Sequence, residues 1–211
     1  MVNDGAFAAL ARDGSIHEWG GPSYGGSGAP SGTGYTSIYS NARAFAALAQ
    51  NGSIRVWGDS DYGGINSPSG TGYTSISSTQ RAFAALAQNG SIRVWGDPAY
   101  GGINSPSGIG YTSISSTARA FAALAQNGSI RVWGDSEYGG INSPSGTGHT
   151  SIYSNMYAFA ALAQDGSIRQ WGWTPGYDPP NDSGYTSIYS TQSAFAVLAG
   201  DGSIHVWGYL S

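Results

Sequence analysis

Short apolar runs separated by turn residues make up most of this chain. The run 44–49, Ala-Phe-Ala-Ala-Leu-Ala, is apolar on both faces of an extended strand, which is typical of a strand buried between two layers. The run 53–57, Ser-Ile-Arg-Val-Trp, is rich in β-branched and aromatic residues and predicts a second strand. A third strand is predicted over 73–77 on the same grounds. The pattern therefore predicts three short strands per segment and no helix.

The first apolar run recurs along the whole sequence. Its copies open at Ala6, Ala44, Ala82, Ala120, Ala158 and Ala194, at intervals of 38, 38, 38, 38 and 36 residues. A fixed period of this length is the signature of a repeat architecture. Units two and three differ at only four positions, which indicates recent duplication or deliberate construction. The predicted units are 5–42, 43–80, 81–118, 119–156 and 157–192, with a half unit at 193–211.

A glycine after Asn or Asp separates the first two strands in every unit. Both residue types tolerate positive φ, so the dipeptide predicts a β-hairpin with a type I′ turn. The six copies are Asp13-Gly14, Asn51-Gly52, Asn89-Gly90, Asn127-Gly128, Asp165-Gly166 and Asp201-Gly202.

A three-stranded antiparallel sheet that is apolar on both faces must stack against copies of itself. A β-propeller achieves this by arranging blades around an axis. A β-solenoid is the alternative, but its turns join strands into parallel sheets, and the hairpins argue against it. We therefore predict an all-β fold: one β-propeller domain over 1–211, built mainly of three-stranded antiparallel blades.

The strand count leaves one blade incomplete. There are six hairpins but only five copies of the third strand, which begin at Tyr35, Tyr73, Tyr111, His149 and Tyr185. Six blades, one of them two-stranded, is the arrangement we predict, because every hairpin has an apolar face to bury. Five blades with a spare hairpin, and a fragment whose open edges pair with another chain, are the alternatives. Open edges also predict weak self-association through the incomplete blade.

Residues 47–58, ALAQNGSIRVWG, followed by 59–64, DSDYGG, resemble the repeat of the regulator of chromosome condensation family. The short repeat is similar to that of the family's bacterial branch, typified by β-lactamase inhibitory protein II. The resemblance covers essentially the whole chain and implies a propeller. It implies no single function, because the family includes exchange factors, enzyme inhibitors and surface-protein modules. The ending Gly63-Gly64-Ile65-Asn66 departs from the commoner Gly-Gln-Leu-Gly, so no binding residue is carried over.

Composition excludes several classes of protein. The net charge is −4 and no Lys is present, which argues against a nucleic-acid-binding protein. The absence of Cys excludes disulfides, thiolate metal sites and a cysteine nucleophile. No apolar run approaches the ~18 residues of a membrane span. The N-terminus is not predicted to be a signal peptide, and the low-charge, Gly- and Ser-rich composition favours an extracellular or cell-surface location.

Two side-chain columns recur with the repeat. The Trp column is expected to pack between blades, with sugar stacking as the alternative. The Arg column that begins at Arg55 is expected to stack on an aromatic ring or pair with an acidic loop residue, with anion binding as the alternative. The columns are Trp19, Trp57, Trp95, Trp133, Trp171 and Trp207, and Arg55, Arg93, Arg131 and Arg169.

Candidate ligand-binding residues lie in the loops after the Trp-Gly pair. Tyrosine among glycines offers contact area and a hydroxyl at low entropic cost, and packing over the loop is the alternative. The irregular loop of unit five adds two aromatic candidates. The candidates are Tyr24, Tyr62, Tyr100, Tyr138, Trp173 and Tyr177.

No catalytic constellation is predicted, and neither is a metal site or a cofactor. The three His residues do not cluster with ligand spacing, and no nucleophile elbow is present. We therefore expect a non-enzymatic binding or structural module that contacts a protein partner through its loops. The alternative is a carbohydrate-binding, lectin-like propeller with repeated sites, which the 7 Trp and 14 Tyr residues favour.

Overall fold

The computed structural model describes residues 3–173 and 178–209. The chain divides into two compact units after Gly110. The first unit contains a two-stranded and two three-stranded antiparallel sheets, β1-β2, β3-β4-β5 and β6-β7-β8. Its strands are β1 Ala6–Leu10, β2 Ile16–Gly20, β3 Tyr35–Ser40, β4 Ala44–Ala49, β5 Ile54–Gly58, β6 Tyr73–Ser78, β7 Ala82–Ala87 and β8 Ile92–Gly96.

The second unit contains three three-stranded antiparallel sheets, β9-β10-β11, β12-β13-β14 and β15-β16-β17. The described residues thus form six blades, the first with two strands, as the strand count predicts. That residues 1–211 form a single domain stays a prediction. The strands are β9 Tyr111–Ser116, β10 Ala120–Ala125, β11 Ile130–Gly134, β12 His149–Ser154, β13 Ala158–Ala163, β14 Ile168–Gly172, β15 Tyr185–Ser190, β16 Ala194–Ala199 and β17 Ile204–Gly208.

The middle strands β4, β7, β10 and β13 are buried on both faces, as their apolar pattern predicts. In β16 of the last blade, Ala196 and Leu198 are only half-buried. In the second blade, Phe45 pairs with Trp57 across the hairpin and Leu48 pairs with Ile54. One face of this blade, with Ala46 and Leu48, packs against Phe83 and Trp95 of the third blade. The same arrangement recurs at the other interfaces inside the two units. The core is therefore a series of layers between blades.

The hairpin turns are not of type I′. Among the described residues, the only non-glycine residues with positive φ are Asn66, Asn104 and Asn142, so Asn51 is not one of them. Gly52 alone has positive φ, 77°, and its N–H donates to the Ala49 carbonyl. The loop 50–52 is a three-residue connection in which glycine takes the left-handed position. The hairpin prediction is confirmed and the turn type is wrong, because the loop contains one residue more than a type I′ turn requires.

The loops after the strands that end in Trp-Gly contain short helical turns that the sequence pattern did not predict. An aspartate caps three of them; Asp59 Oδ1, for example, accepts a hydrogen bond from the Asp61 N–H at 2.9 Å. Aspartate is a preferred residue at this position because its oxygen satisfies an otherwise unpaired N–H. The turns are Pro22–Tyr24, Ser60–Tyr62, Pro98–Tyr100 and Ser136–Gly140.

Candidate functional site

The Trp column holds the loops in place. Trp57 Nε1 donates a hydrogen bond to the Gly25 carbonyl at 2.9 Å, so the second blade binds the loop of the first. Trp95 makes the same bond to Gly63 at 3.1 Å. In the second unit, Trp171 bonds to a loop glycine of the preceding blade in the same way. Each of these indoles therefore fills an interface and fixes the loop beside it.

Five members of the Trp column are buried, which agrees with packing between blades. They stack on the phenylalanine opposite in the hairpin; the Phe83 and Trp95 centroids lie 5.2 Å apart. Trp19 differs, because it is 52% exposed together with Phe7. The buried members are Trp57, Trp95, Trp133, Trp171 and Trp207.

Polar side chains at the turns before β4 and β7 also bond to the backbone of candidate tyrosines. Asn41 Nδ2 donates to the Tyr62 carbonyl at 2.6 Å. Thr79 Oγ1 donates to the Tyr100 carbonyl at 2.9 Å. Both donors are fully buried. The backbone of these tyrosines is thus held by a buried hydrogen bond, which is expected to lower the entropic cost of any contact they make.

In the first unit, tyrosine and arginine side chains alternate in a ladder. The Arg43 guanidinium lies 5.0 Å from the Tyr24 ring and 5.1 Å from the Tyr62 ring. Arg81 lies 4.8 Å from Tyr62 and 5.0 Å from Tyr100. These distances are within the range of cation–π attraction. Tyr62 therefore has a cation on each face of its ring.

The loop aspartates neutralise the arginines of the ladder. Arg43 pairs with Asp59 at 3.9 Å and Arg81 pairs with Asp97 at 3.6 Å. Both pairs are partly exposed, so each contributes little to stability. Stacking on an aromatic ring or pairing with a loop carboxylate is the prediction for the column that begins at Arg55. The structure assigns both roles to the column Arg43, Arg81 and Arg119.

The ladder changes in the second unit. Arg119 lies 4.9 Å from Tyr138, but the next position holds Tyr157, whose ring is 5.8 Å from Tyr138. Trp173 meets Tyr157 edge to face at 5.0 Å. A cavity of about 140 Å³ is lined by Tyr138, Tyr157, Trp173 and Glu137. The structure thus brings together two predicted candidates, Tyr138 and Trp173.

The outcome for the candidate tyrosines is mixed. Tyr62 is buried, and Tyr24, Tyr100 and Tyr138 are half-buried, as the loop-packing alternative predicts. Their role in ligand binding stays a prediction. Tyr177 lies outside the described residues.

Three isoleucines are exposed in the same loops, and sequence reasoning missed them. Ile65, Ile103 and Ile141 are 51%, 48% and 51% exposed. The asparagine after each has φ near +60°, so the backbone turns sharply at this point. The signal that could have found them is an apolar residue at one fixed position in an otherwise polar loop.

The other end of the first unit has two equivalent polar depressions. One, of about 480 Å³, is lined by Tyr35, Gln50, Asn51 and Arg55 together with small residues. The other, of about 450 Å³, is lined by the residues 38 positions later, including Tyr73, Gln88 and Arg93. Arg55 and Arg93 therefore lie at an exposed polar surface, whereas we predicted that their column stacks on an aromatic ring or pairs with an acidic loop residue.

Local contacts and burial shift the pKa of individual side chains. The Ser15 N–H and hydroxyl donate to Asp13 and lower the pKa of that carboxyl. Burial raises the pKa of the Tyr185 hydroxyl. Within 3–173 and 178–209, no three His, Asp or Glu side chains converge as metal ligands would. No helix in these ranges is long and apolar enough to cross a membrane.

The chain matches no known family and no curated protein by sequence. Solved structures with a similar fold do exist. The ectodomain of the receptor kinase CR4 from Physcomitrella patens matches with a TM-score of 0.66 and 21% identity, over 98% of this chain and 59% of that one. Prp20p from Saccharomyces cerevisiae, a yeast RCC1, matches with a TM-score of 0.60 and 14% identity, over 98% of this chain and 70% of that one.

The fold is that of an RCC1-type propeller. The CRINKLY ectodomain of ACR4 from Arabidopsis thaliana has the same fold, with a TM-score of 0.63 and 15% identity over 98% of this chain and 77% of that one. This chain spans about three fifths of the first solved chains that it matches. The propeller prediction is confirmed, and the likeness to the short-repeat bacterial branch stays a prediction.

Proposed function

We propose that this RCC1-type propeller is a non-enzymatic module that binds a protein partner through its loops. The observation that carries the proposal is an exposed isoleucine that recurs three residues after a ladder tyrosine, as Ile65, Ile103 and Ile141 follow Tyr62, Tyr100 and Tyr138. Exposed apolar residues next to aromatic and arginine side chains are typical of protein interfaces. The structure of Prp20p was described together with its binding to Gsp1p and histones. A propeller of this fold can therefore bind proteins.

Selection of peptide binders from a phage-displayed library on the immobilised chain tests this function. The selected peptides are expected to bind the double variant Ile65→Ser/Ile103→Ser at least about tenfold more weakly, because two apolar contacts are lost. Ile109→Ser is the matched control, since Ile109 is 72% exposed at another loop position. Equal binding to the double variant and the wild type would contradict the proposal.

Carbohydrate binding is the second candidate function, and the paired depressions favour it. Each combines a tyrosine ring with amide and guanidinium donors, which suits a polyhydroxylated ligand. A glycan array tests it. Binding that Arg55→Ala and Arg93→Ala each reduce, while the isoleucine variants do not, would favour this function over protein binding.

For the exposed apolar faces of the first and last blades, the partner that we propose is a second copy of this chain. The first blade exposes Phe7 and Trp19, and the last blade exposes Ile204 and Val206. The equivalents of these residues pack together at the interface between the second and third blades: Phe83 and Trp95 lie against Ile54 and Val56. Such head-to-tail contacts are heterologous and can continue from copy to copy.

Sedimentation velocity over a range of concentrations tests this self-association. The wild-type chain is expected to form species heavier than its 21.7 kDa monomer as concentration rises. The double variant Ile204→Asp/Val206→Asp should remain monomeric, because it places carboxylates in an apolar contact. Ile109→Asp, which adds charge at an exposed loop position, should associate like the wild type. A wild-type chain that stays monomeric throughout would contradict the proposal.

A further inference from the structure

The fifth repeat lacks the internal cation of the ladder. Tyr157 occupies the position that Arg43, Arg81 and Arg119 hold in earlier repeats. Trp173 occupies the position of the aspartate that pairs with this arginine. A cation and its carboxylate partner are thus both replaced by aromatic rings. The two replacements act on one site, since Tyr157 and Trp173 contact each other edge to face at 5.0 Å.

The replacements create an aromatic cavity. Tyr138 has the Arg119 guanidinium 4.9 Å from its ring, as its equivalents have theirs. Beyond it, where a second guanidinium lies over Tyr62, Tyr138 meets Tyr157 instead, with the ring planes tilted by 39°. Tyr138, Tyr157, Trp173 and Glu137 line the cavity of about 140 Å³. This is well below the roughly 300–1,000 Å³ of a site for a drug-sized molecule. It suits a single head group.

We propose that this cavity binds a quaternary ammonium group. Aromatic rings attract a cation through their negative faces, and a trimethylated nitrogen carries its charge on methyl groups that need no hydrogen-bond acceptor. A primary ammonium is strongly hydrated and loses more on entering such a cavity. The exposed Glu137 adds a carboxylate to the rim and draws the cation towards the rings. The residues that line the cavity include none of the exposed loop isoleucines, so this proposal does not depend on the proposed protein binding.

Two sources supply this chemistry: a free small cation, and a trimethyllysine side chain on a protein. Isothermal titration calorimetry with choline and with a short peptide containing trimethyllysine distinguishes them. Tighter binding of the peptide assigns the site to a modified side chain, and binding of choline alone assigns it to a free cation. The neutral isostere 3,3-dimethylbutanol has the shape of choline without its charge. It is expected to bind at least about tenfold more weakly, and equal binding would overturn the proposal.

Tyr157→Arg is the decisive variant. It restores the residue found in earlier repeats and places an internal cation against Tyr138, so choline and the trimethyllysine peptide are expected to lose binding. Trp173→Asp, which restores the other repeat residue at an exposed position, is expected to do the same and serves if Tyr157→Arg does not fold.

The rim carboxylate has a matched control in an earlier repeat. Glu137→Gln is expected to weaken binding of both cations several-fold, and Asp61→Asn, at the equivalent position two repeats earlier, should leave it unchanged. Binding of the wild-type chain to neither cation, or unchanged binding in folded Tyr157→Arg and Trp173→Asp, would overturn the proposal.

Discussion

Replacing Trp95 by alanine is expected to lower the free energy of unfolding by about 3–5 kcal/mol, the usual cost of removing a large buried aromatic side chain. Trp95 is only 4% exposed and stacks on Phe83. Its Nε1 also donates to the Gly63 carbonyl, so the variant removes a loop anchor together with the packing. The loss leaves both a cavity between two blades and an unpaired carbonyl.

Urea titration of the Trp95→Ala variant measures this loss. Trp19→Ala is the matched control, because it removes the same side chain at the same repeat position from a half-exposed face. We expect the control to cost less than about 1 kcal/mol, in line with substitutions outside the core. Equal effects of the two variants would contradict the packing role of the Trp column.

Replacing Gly64 by alanine is expected to cost about 3 kcal/mol, at the upper end of the range for overpacking. A Cβ at this position would lie 2.4 Å from the Gly58 carbonyl oxygen and 2.8 Å from that of Asp59. Both atoms belong to the backbone and cannot rotate away. The Gly64 N–H also donates to the Asp59 carbonyl, which holds the loop against the end of β5.

Gly200→Ala provides the comparison for this loop. A Cβ there would meet its nearest atom, the Gly184 carbonyl oxygen, at an ordinary contact distance of 3.7 Å. Its effect on the melting temperature should therefore be small. If Gly64→Ala has the same melting temperature as Gly200→Ala and the wild type, the loop relaxes to accommodate the Cβ. This result would contradict the expected steric cost.

The blade could be predicted from local sequence because each strand and each hairpin turn is determined by residues close together in the chain. The run 44–49 is apolar on both faces, and Asn51-Gly52 lies between it and the next strand, so strand, turn and strand follow from a dozen residues. The turn type could not be predicted from the dipeptide alone. It depends on the length of the loop, which the register of Leu48 with Ile54 determines.

The ladder could not be found by comparing equivalent positions. Tyr62 contacts Arg43, 19 residues earlier, and Arg81, 19 residues later, so its partners lie half a repeat away. A comparison at the period of 38 aligns tyrosine with tyrosine and arginine with arginine, and it never places the two side by side. The exposure of Ile65 likewise could not be predicted, because the path of a loop with positive φ at Asn66 does not follow from an apolar pattern.

Methyl nuclear magnetic resonance of the isoleucine-labelled chain, titrated with a peptide selected on it, tests loop-mediated protein binding most directly. The signals of the exposed Ile65, Ile103 and Ile141 are expected to shift as the peptide is added, while those of the buried Ile54 and Ile92 stay in place. In the Ile65→Ser/Ile103→Ser variant, the Ile141 signal should no longer shift at the same peptide concentration, because the affinity for the peptide is lower. Unchanged signals from all three loop isoleucines at saturation would contradict protein binding through the loops.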